Sequence, residues 1–418
     1  MSRAAFILMI TSCVEIPLAS AGIASPEPEP ADVARAIEAA PEVATARAQL
    51  IGAESMARVE TSSVRPWLAR GGTQTRRVTG ELGVAGDPNY REWEVSLEHD
   101  VRLPGKRGLD RSIAEAHISQ AQALVEDTQR AVTMAVLEDW YRCVSATARA
   151  KRAADEQRTA STLSQSIEKR RSAGEASQLD ATLAAAELAA TEAEAAAAGE
   201  ALRASRDLLT ARGLPPSCAS ATLKDPPPPA SRAALDPSKD PAVRVAAAAA
   251  ELAARQAERA RAEKLPDPAV GIRYAQERGG LERIAGIYFS VPLPSGRVAA
   301  EADHAAALAR VAESERRQSE WRATTKINST LARLRTARAM WQPLDAAAKL
   351  QSEAAERIWR AFGVGEVDLA VALQDQRTAR AARALADDAL IEFWHAESVT
   401  KAQYASASIA DDSIDAPT

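Results

Sequence analysis

One order of segments occurs twice along this chain, and that duplication limits the folds open to it more than any other feature. Pro41-Glu42-Val43 opens an Ala-rich helix, and Pro241-Ala242-Val243 opens another far downstream. Each helix meets a proline cluster, Arg65-Pro66-Trp67 in the first copy and Leu265-Pro266-Asp267-Pro268 in the second. Two strand-like stretches follow, ending in Leu103-Pro104-Gly105-Lys106-Arg107 and Leu293-Pro294-Ser295-Gly296-Arg297. A very long charged helix then runs to a glycine, within Ala173-Gly174-Glu175 or Val364-Gly365-Glu366, and a further helix leads away.

This order predicts a first repeat over 26–212, with strands at 65–78 and 92–103 and a turn at 171–177. A Pro-rich loop over 213–239, containing Pro226-Pro227-Pro228-Pro229, separates it from a second repeat over 240–407. That repeat has strands at 268–276 and 284–293 and a turn at 362–368, and 408–418 reads as a disordered tail. Gly108–Ser172 and Gly296–Gly363 run to roughly 65 residues each, or ~100 Å of helix. Ser177–Arg212 and Asp240–Lys264, roughly 54 Å and 37 Å long, nearly match one long helix when stacked end to end. The C-terminal helix, about Asp368–Ala407, stacks likewise on the N-terminal one, about Ala31–Ser62.

Composition agrees with long helices. Apolar residues make up 46% of the chain but aromatics only 4%, so alanine dominates the apolar share. Such a chain fills a thick core poorly and suits helices packed closely side by side. Ile327, Leu331, Leu334, Ala337 and Trp341 form an apolar stripe along one helix face. Pro343 is expected to kink or interrupt that helix.

Other classes are poorly supplied. A net charge of −5, from 52 basic and 57 acidic residues, argues against a general nucleic-acid binder. No nucleophile–base pair or phosphate loop is present, so no enzyme is expected. His99, His117, His304 and His395 form no i, i+4 ligand pair, and neither a metal site nor a cofactor is expected. Residues 1–25 read as a bacterial export signal, with Arg3 before the apolar run Ala4–Ile10. Two processing sites compete there: cleavage at Ala19-Ser20-Ala21, or lipidation of Cys13 within Ile10-Thr11-Ser12-Cys13. Cys143, mid-helix, and Cys218, in the Pro-rich loop, are expected to be independent thiols.

The strands carry the most functional information. In 92–103, Trp93, Val95, Leu97, His99, Val101 and Leu103 alternate with Glu92, Glu94, Ser96, Glu98, Asp100 and Arg102. Ile287, Phe289, Val291 and Leu293 repeat the apolar face later. This dyad is that of a membrane barrel strand, placing Trp93, Val95, Leu97, Val101, Ile287 and Phe289 against lipid. Glu92, Glu94, Glu98 and Asp100 then face a lumen, as acidic rings that favour cations. A soluble hairpin packed on a helix shows the same alternation. Four strands cannot close a barrel, and open edges in lipid leave backbone groups unsatisfied, so a membrane reading requires a homo-oligomer.

Together these residues resemble the TolC-like outer membrane efflux factors, over roughly Asp32 to Tyr404. The pentapeptide Leu103–Arg107 looks most like members of the heavy-metal, cobalt-zinc-cadmium type. The resemblance implies a mostly helical fold with membrane β-structure. Three chains would form one twelve-stranded outer-membrane barrel, continued by a long periplasmic α-helical tunnel. It also implies outer-membrane lipid, a periplasmic adaptor protein and an inner-membrane pump of the resistance-nodulation-division type as partners. Arg171, Gly174, Glu175, Gly365 and Glu366 map to the helix-turn tips that meet the adaptor in that family. Several members narrow the tunnel with aspartates whose places fall here on Val371 and Gln374; neighbouring Asp368 and Asp375 are the candidate gate instead. The resemblance predicts a passive exit duct, with metal cations as cargo. Alternatives are a duct for drug efflux or type I protein secretion, and, in another class, a soluble periplasmic coiled-coil scaffold or adaptor.

Overall fold

The computed structural model describes residues 27–404 apart from 63–65, 78–88, 217, 219–222, 224, 227–234 and 294. The export signal with both processing sites, Cys13 included, lies outside the described residues, as do Pro227-Pro228-Pro229 and the tail 408–418. The chain is mostly helical, with one four-stranded antiparallel sheet. In order it forms α1 (Pro30–Ala39), α2 (Pro41–Thr61), β1 (Leu68–Arg77), β2 (Asn89–Asp100), α3 (Lys106–Ser172) and α4 (Gln178–Ala211). Then come α5 (Pro241–Ala262), β3 (Ala269–Glu277), β4 (Glu282–Ser290), α6 (Gly296–Gly363) and α7 (Leu369–Tyr404).

Local chemistry explains the boundaries. Ala40 takes an extended conformation before Pro41, which splits α1 from α2 because proline cannot donate the next helical hydrogen bond. Ser177 caps α4 with a reciprocal pair: its hydroxyl accepts from the Asp180 N–H at 3.0 Å, and its own N–H donates to the Asp180 carboxylate at 3.1 Å. β2 begins at Asn89 and stops at Asp100, earlier at both ends than the alternation of 92–103 suggests. Its end is drawn back because the Leu103 N–H leaves the ladder and donates to Asp267 at 3.0 Å. Pro343 does not interrupt its helix; α6 runs through it as one segment. A proline removes one backbone hydrogen bond, and packing along α7 and α5 outweighs that loss.

The helices α3 and α6 each run the full distance from sheet to turn. Beside them α2 and α5 line the sheet-side half, while α4 and α7 line the half that ends in the turns. Between helices the filling is mainly alanine: Ala153, Ala160, Ala184, Ala348 and Ala355 are all buried. The largest apolar cluster sits mid-rod, where Val43, Val136, Trp140, Leu209, Leu214 and Ile391 meet. Cys143 and Cys218 also lie there and form a disulfide with Cα atoms 5.9 Å apart, which corrects the expectation of independent thiols. The loop returns on itself after Gly213 and packs Leu214 and Cys218 onto α3, a non-local approach that spacing does not reveal. Among the described residues, no helix is long and apolar enough to cross a membrane.

Candidate functional site

The sheet gathers its ion pairs on one face. Strand order is β1-β2-β3-β4, all neighbours antiparallel, so β1 and β4 are left as edges. The register aligns Arg70 with Ser96 and Arg273, and Leu68 with Glu98, Gly271 and Tyr288, on one face. On that face Glu92 is only 2% exposed. It accepts from Gln74 at 2.7 Å and pairs with Arg76 at 3.1 Å. Glu98 pairs with Arg70 at 3.3 Å and accepts from the Tyr288 hydroxyl at 2.9 Å. Glu94 pairs with Arg273 at 2.7 Å, and Asp100 is exposed. The Tyr288 ring lies flat over Gly271, where any side-chain carbon would come within 2.3 Å of it. The residues read as a lumen set thus do share a face, but three of the four carry an arginine partner. Sequence reasoning missed Arg70, Arg76 and Arg273. Alternation alone gives no signal for them, since the strand register decides which arginine stands beside which glutamate.

The opposite face is apolar and open. Val95 is 48% exposed, Ile287 71% and Phe289 75%. Trp93 and Val101 are exposed beside them, and Leu97 is half-buried. Trp67 stacks on His99 at 4.6 Å near the helical end, and Trp93 lies against Tyr274 at 5.6 Å towards the other. Such exposure would be costly in water over so broad a surface.

Where sheet becomes helix, charges lock the junction. Arg102 pairs with Asp110 and, at 3.0 Å, with Asp267. Lys106, 3% exposed, reaches Glu263 and Asp267 at 3.0 Å each, while Arg259 holds Asp110 at 2.8 Å. Burial works against the Asp110 carboxylate, yet hydrogen bonds from Arg102 and Arg259 hold it below the ordinary range. Asp267 is lowered in the same way against its burial, through the Leu103 N–H, Lys106 and Arg102. Three residues of the Leu103–Arg107 pentapeptide therefore serve this junction: the Leu103 N–H, the Lys106 ammonium, and Gly105, whose φ of 95° opens α3.

Farther along the rod, His395 is buried against Tyr141, their rings 5.1 Å apart. Its Nε2 lies 3.2 Å from Glu138 and its Nδ1 is 3.3 Å from Arg333. Burial first, and then Arg333, keep its pKa below the ordinary imidazole value.

The two helix turns have the same backbone stop. Gly174 and Gly365 take φ of 81° and 84°, and the following Glu175 and Glu366 N–H groups reach back to Arg170 and Ala361 at 2.8 Å and 3.0 Å. Leu163, Ile167, Ala184, Leu369 and Leu373 form one cluster beneath both turns, with Trp359 and Phe362 packed against it. This brings the two tips side by side. Glu175, Glu366 and Asp368 are exposed; Arg171 folds onto Glu168 at 2.6 Å, and Asp375 is half-buried. A buried tie above them, Glu187 of α4 to Arg380 of α7 at 2.9 Å, joins the two hairpins.

Comparison with known proteins separates fold from sequence. No protein-family model matches the chain. No curated protein matches it either. Solved structures do. The outer membrane protein VceC of Vibrio cholerae superposes with a TM-score of 0.69 at 16% identity, over 89% of this chain and 95% of that one. The CmeC outer membrane channel of Campylobacter jejuni gives 0.73 at 12% identity, over 90% and 84%. The open state of the MtrE outer membrane channel of Neisseria gonorrhoeae gives 0.65 at 18%, over 90% and 88%. The chain has the fold of these outer-membrane channels.

Proposed function

We propose that this chain is one protomer of a TolC-like homotrimeric exit duct in the bacterial outer membrane. Three copies of the four-stranded sheet close one twelve-stranded barrel, and the helices, arranged as two structural repeats, continue it as a periplasmic tunnel. The tunnel passively conducts substrate delivered by an inner-membrane pump through a periplasmic adaptor. The observation that carries this reading is the reversed sheet: ion pairs on one face, exposed Val95, Ile287 and Phe289 on the other, and two unpaired edges. Lipid outside, water inside and a second copy at each edge satisfy all three features together.

In this reading the tips around Gly174 and Gly365 meet the adaptor, and Asp368 and Asp375 border the closed entrance. Export is supported independently by the Cys143–Cys218 disulfide, since such bonds persist in oxidising compartments. A metal-cation cargo rests on the Leu103–Arg107 resemblance alone, because arginines offset most of the lumen-face glutamates. Recovery from outer membranes as a detergent-extracted trimer is the expected result. A water-soluble monomer would sink the proposal and leave the periplasmic scaffold in its place. Cargo is tested by deletion, comparing growth on zinc, cobalt or cadmium with growth on drugs; unchanged metal tolerance with no redundant duct removes the metal reading.

A further inference from the structure

The sheet treats its arginines in two ways, and the face decides which. Arg70, Arg76 and Arg273 on the inward face each pair with a glutamate. Register puts Arg91 on the same face as Trp93 and Val95, with Arg77 and Arg283 on that outward face too. All three are exposed, and among the described residues none forms an ion pair or a side-chain hydrogen bond. They lie towards the end of the sheet away from the helices, Arg283 level with Trp93 of the Trp93–Tyr274 aromatic pair and Arg91 and Arg77 beyond it.

Position and chemistry converge on one ligand. Arg77 and Arg91 stand on adjacent strands two residues apart in register, about 8 Å between Cα atoms by sheet geometry. Arg283, opposite Gln276 and two strands away from Arg91, lies about 12 Å off by the same spacing. Arg77 and Arg283 then stand about 20 Å apart across the row, so the uncompensated repulsion is felt mainly between Arg77 and Arg91, where a shared anion would relieve it. Guanidinium forks match phosphate oxygens, and basic clusters just past an apolar band attract anionic lipid headgroups. We propose that Arg77, Arg91 and Arg283 form a binding site for the phosphate groups of an anionic, multiply phosphorylated lipid of the surrounding outer leaflet. Acyl chains would lie against Val95, Ile272 and Ile287 below it.

This site rests on the barrel reading, and its test separates the two. The detergent-purified trimer is titrated with bisphosphorylated lipid A and with the same lipid after enzymatic dephosphorylation. Affinity is expected to fall at least about tenfold on dephosphorylation, and by a similar factor for the phosphorylated lipid in R77Q/R91Q/R283Q. R255Q/R316Q/R317Q removes the same charge from the helices and should keep wild-type affinity. Equal binding of both lipids by the wild-type trimer overturns the site, and so does an equal loss in the helical variant. Should the triple sheet variant fail to assemble, the two-lipid comparison on wild type still decides. Absence of any membrane-inserted trimer would instead bring down the barrel reading, and the site with it.

Discussion

The sheet and the helical rod obey opposite rules about what is covered. In the rod, alanine and aliphatic side chains are inside: Val136 and Ala348 are fully buried, and arginine–glutamate pairs cover the outside. In the sheet, Glu92 and Glu98 are buried while Phe289 and Ile287 stand open. Both arrangements follow from one requirement, that each surface match its surroundings. The difference is the one the proposed duct requires, in which water surrounds the rod and hydrocarbon would surround the sheet.

The strongest way to break this comparison is to place a charge on the open apolar face. If the proposed trimeric barrel holds, Val95→Asp should lower outer-membrane trimer yield more than about tenfold, because a lipid-facing charge would be penalised according to its depth in each of three copies. Leu281→Asp, at a residue more exposed still but in the β3–β4 connection, should leave yield near wild type. Equal yields of the two variants would mean that no hydrocarbon surrounds the sheet.

On the rod side, the comparison predicts that the covalent tie inside the mid-rod apolar cluster adds to stability. Cys143→Ser removes a cross-link spanning 75 residues and should cost about 4 kcal/mol, read as a lowered denaturation midpoint that reductant no longer changes. On the sheet's polar face, Gly271→Val forces the Tyr288 ring away from Glu98 and should cost about 1–3 kcal/mol, seen as a lower thermal midpoint of the protein. Gly286→Val, with nothing near its missing Cβ, is the control that should change little.

The smallest expected effect is a pH slope from the rod. His395 has a pKa below its ordinary 6.5, so just below that pH the unfolded chain binds more protons than the native one. Its contribution to stability must therefore fall as pH drops through about 6.5, and His395→Gln should flatten that part of the curve. An unchanged slope would show that the imidazole titrates alike in the native and unfolded chains and that its burial does not shift it.

Legibility differed between the regions for a physical reason. Alternation along β2 disclosed its two faces because a strand's period is local, and both glycine stops were readable because positive φ is a single-residue demand. Contacts between distant segments were not readable. Arg70 and Arg273 became partners of Glu98 and Glu94 only when the strands paired, and Cys218 met Cys143 only when the loop folded back. Pro343 misled because the local cost of proline is visible in sequence while the packing that outweighs it is not.

The unbroken courses of α3 and α6 give the molecule a ruler. With 67 and 68 residues, both measure ~100 Å between the sheet junction and the turns. Their neighbours are spliced from shorter pieces and can absorb a slip at each splice. A single inserted residue in α3 would advance everything beyond it by about 1.5 Å and swing it by roughly 100°. The Gly174 turn would then leave the shared cluster with Leu369 and Leu373. Chains of this design should therefore change length in both long helices at once, in near-heptad steps, and vary freely only at the splices.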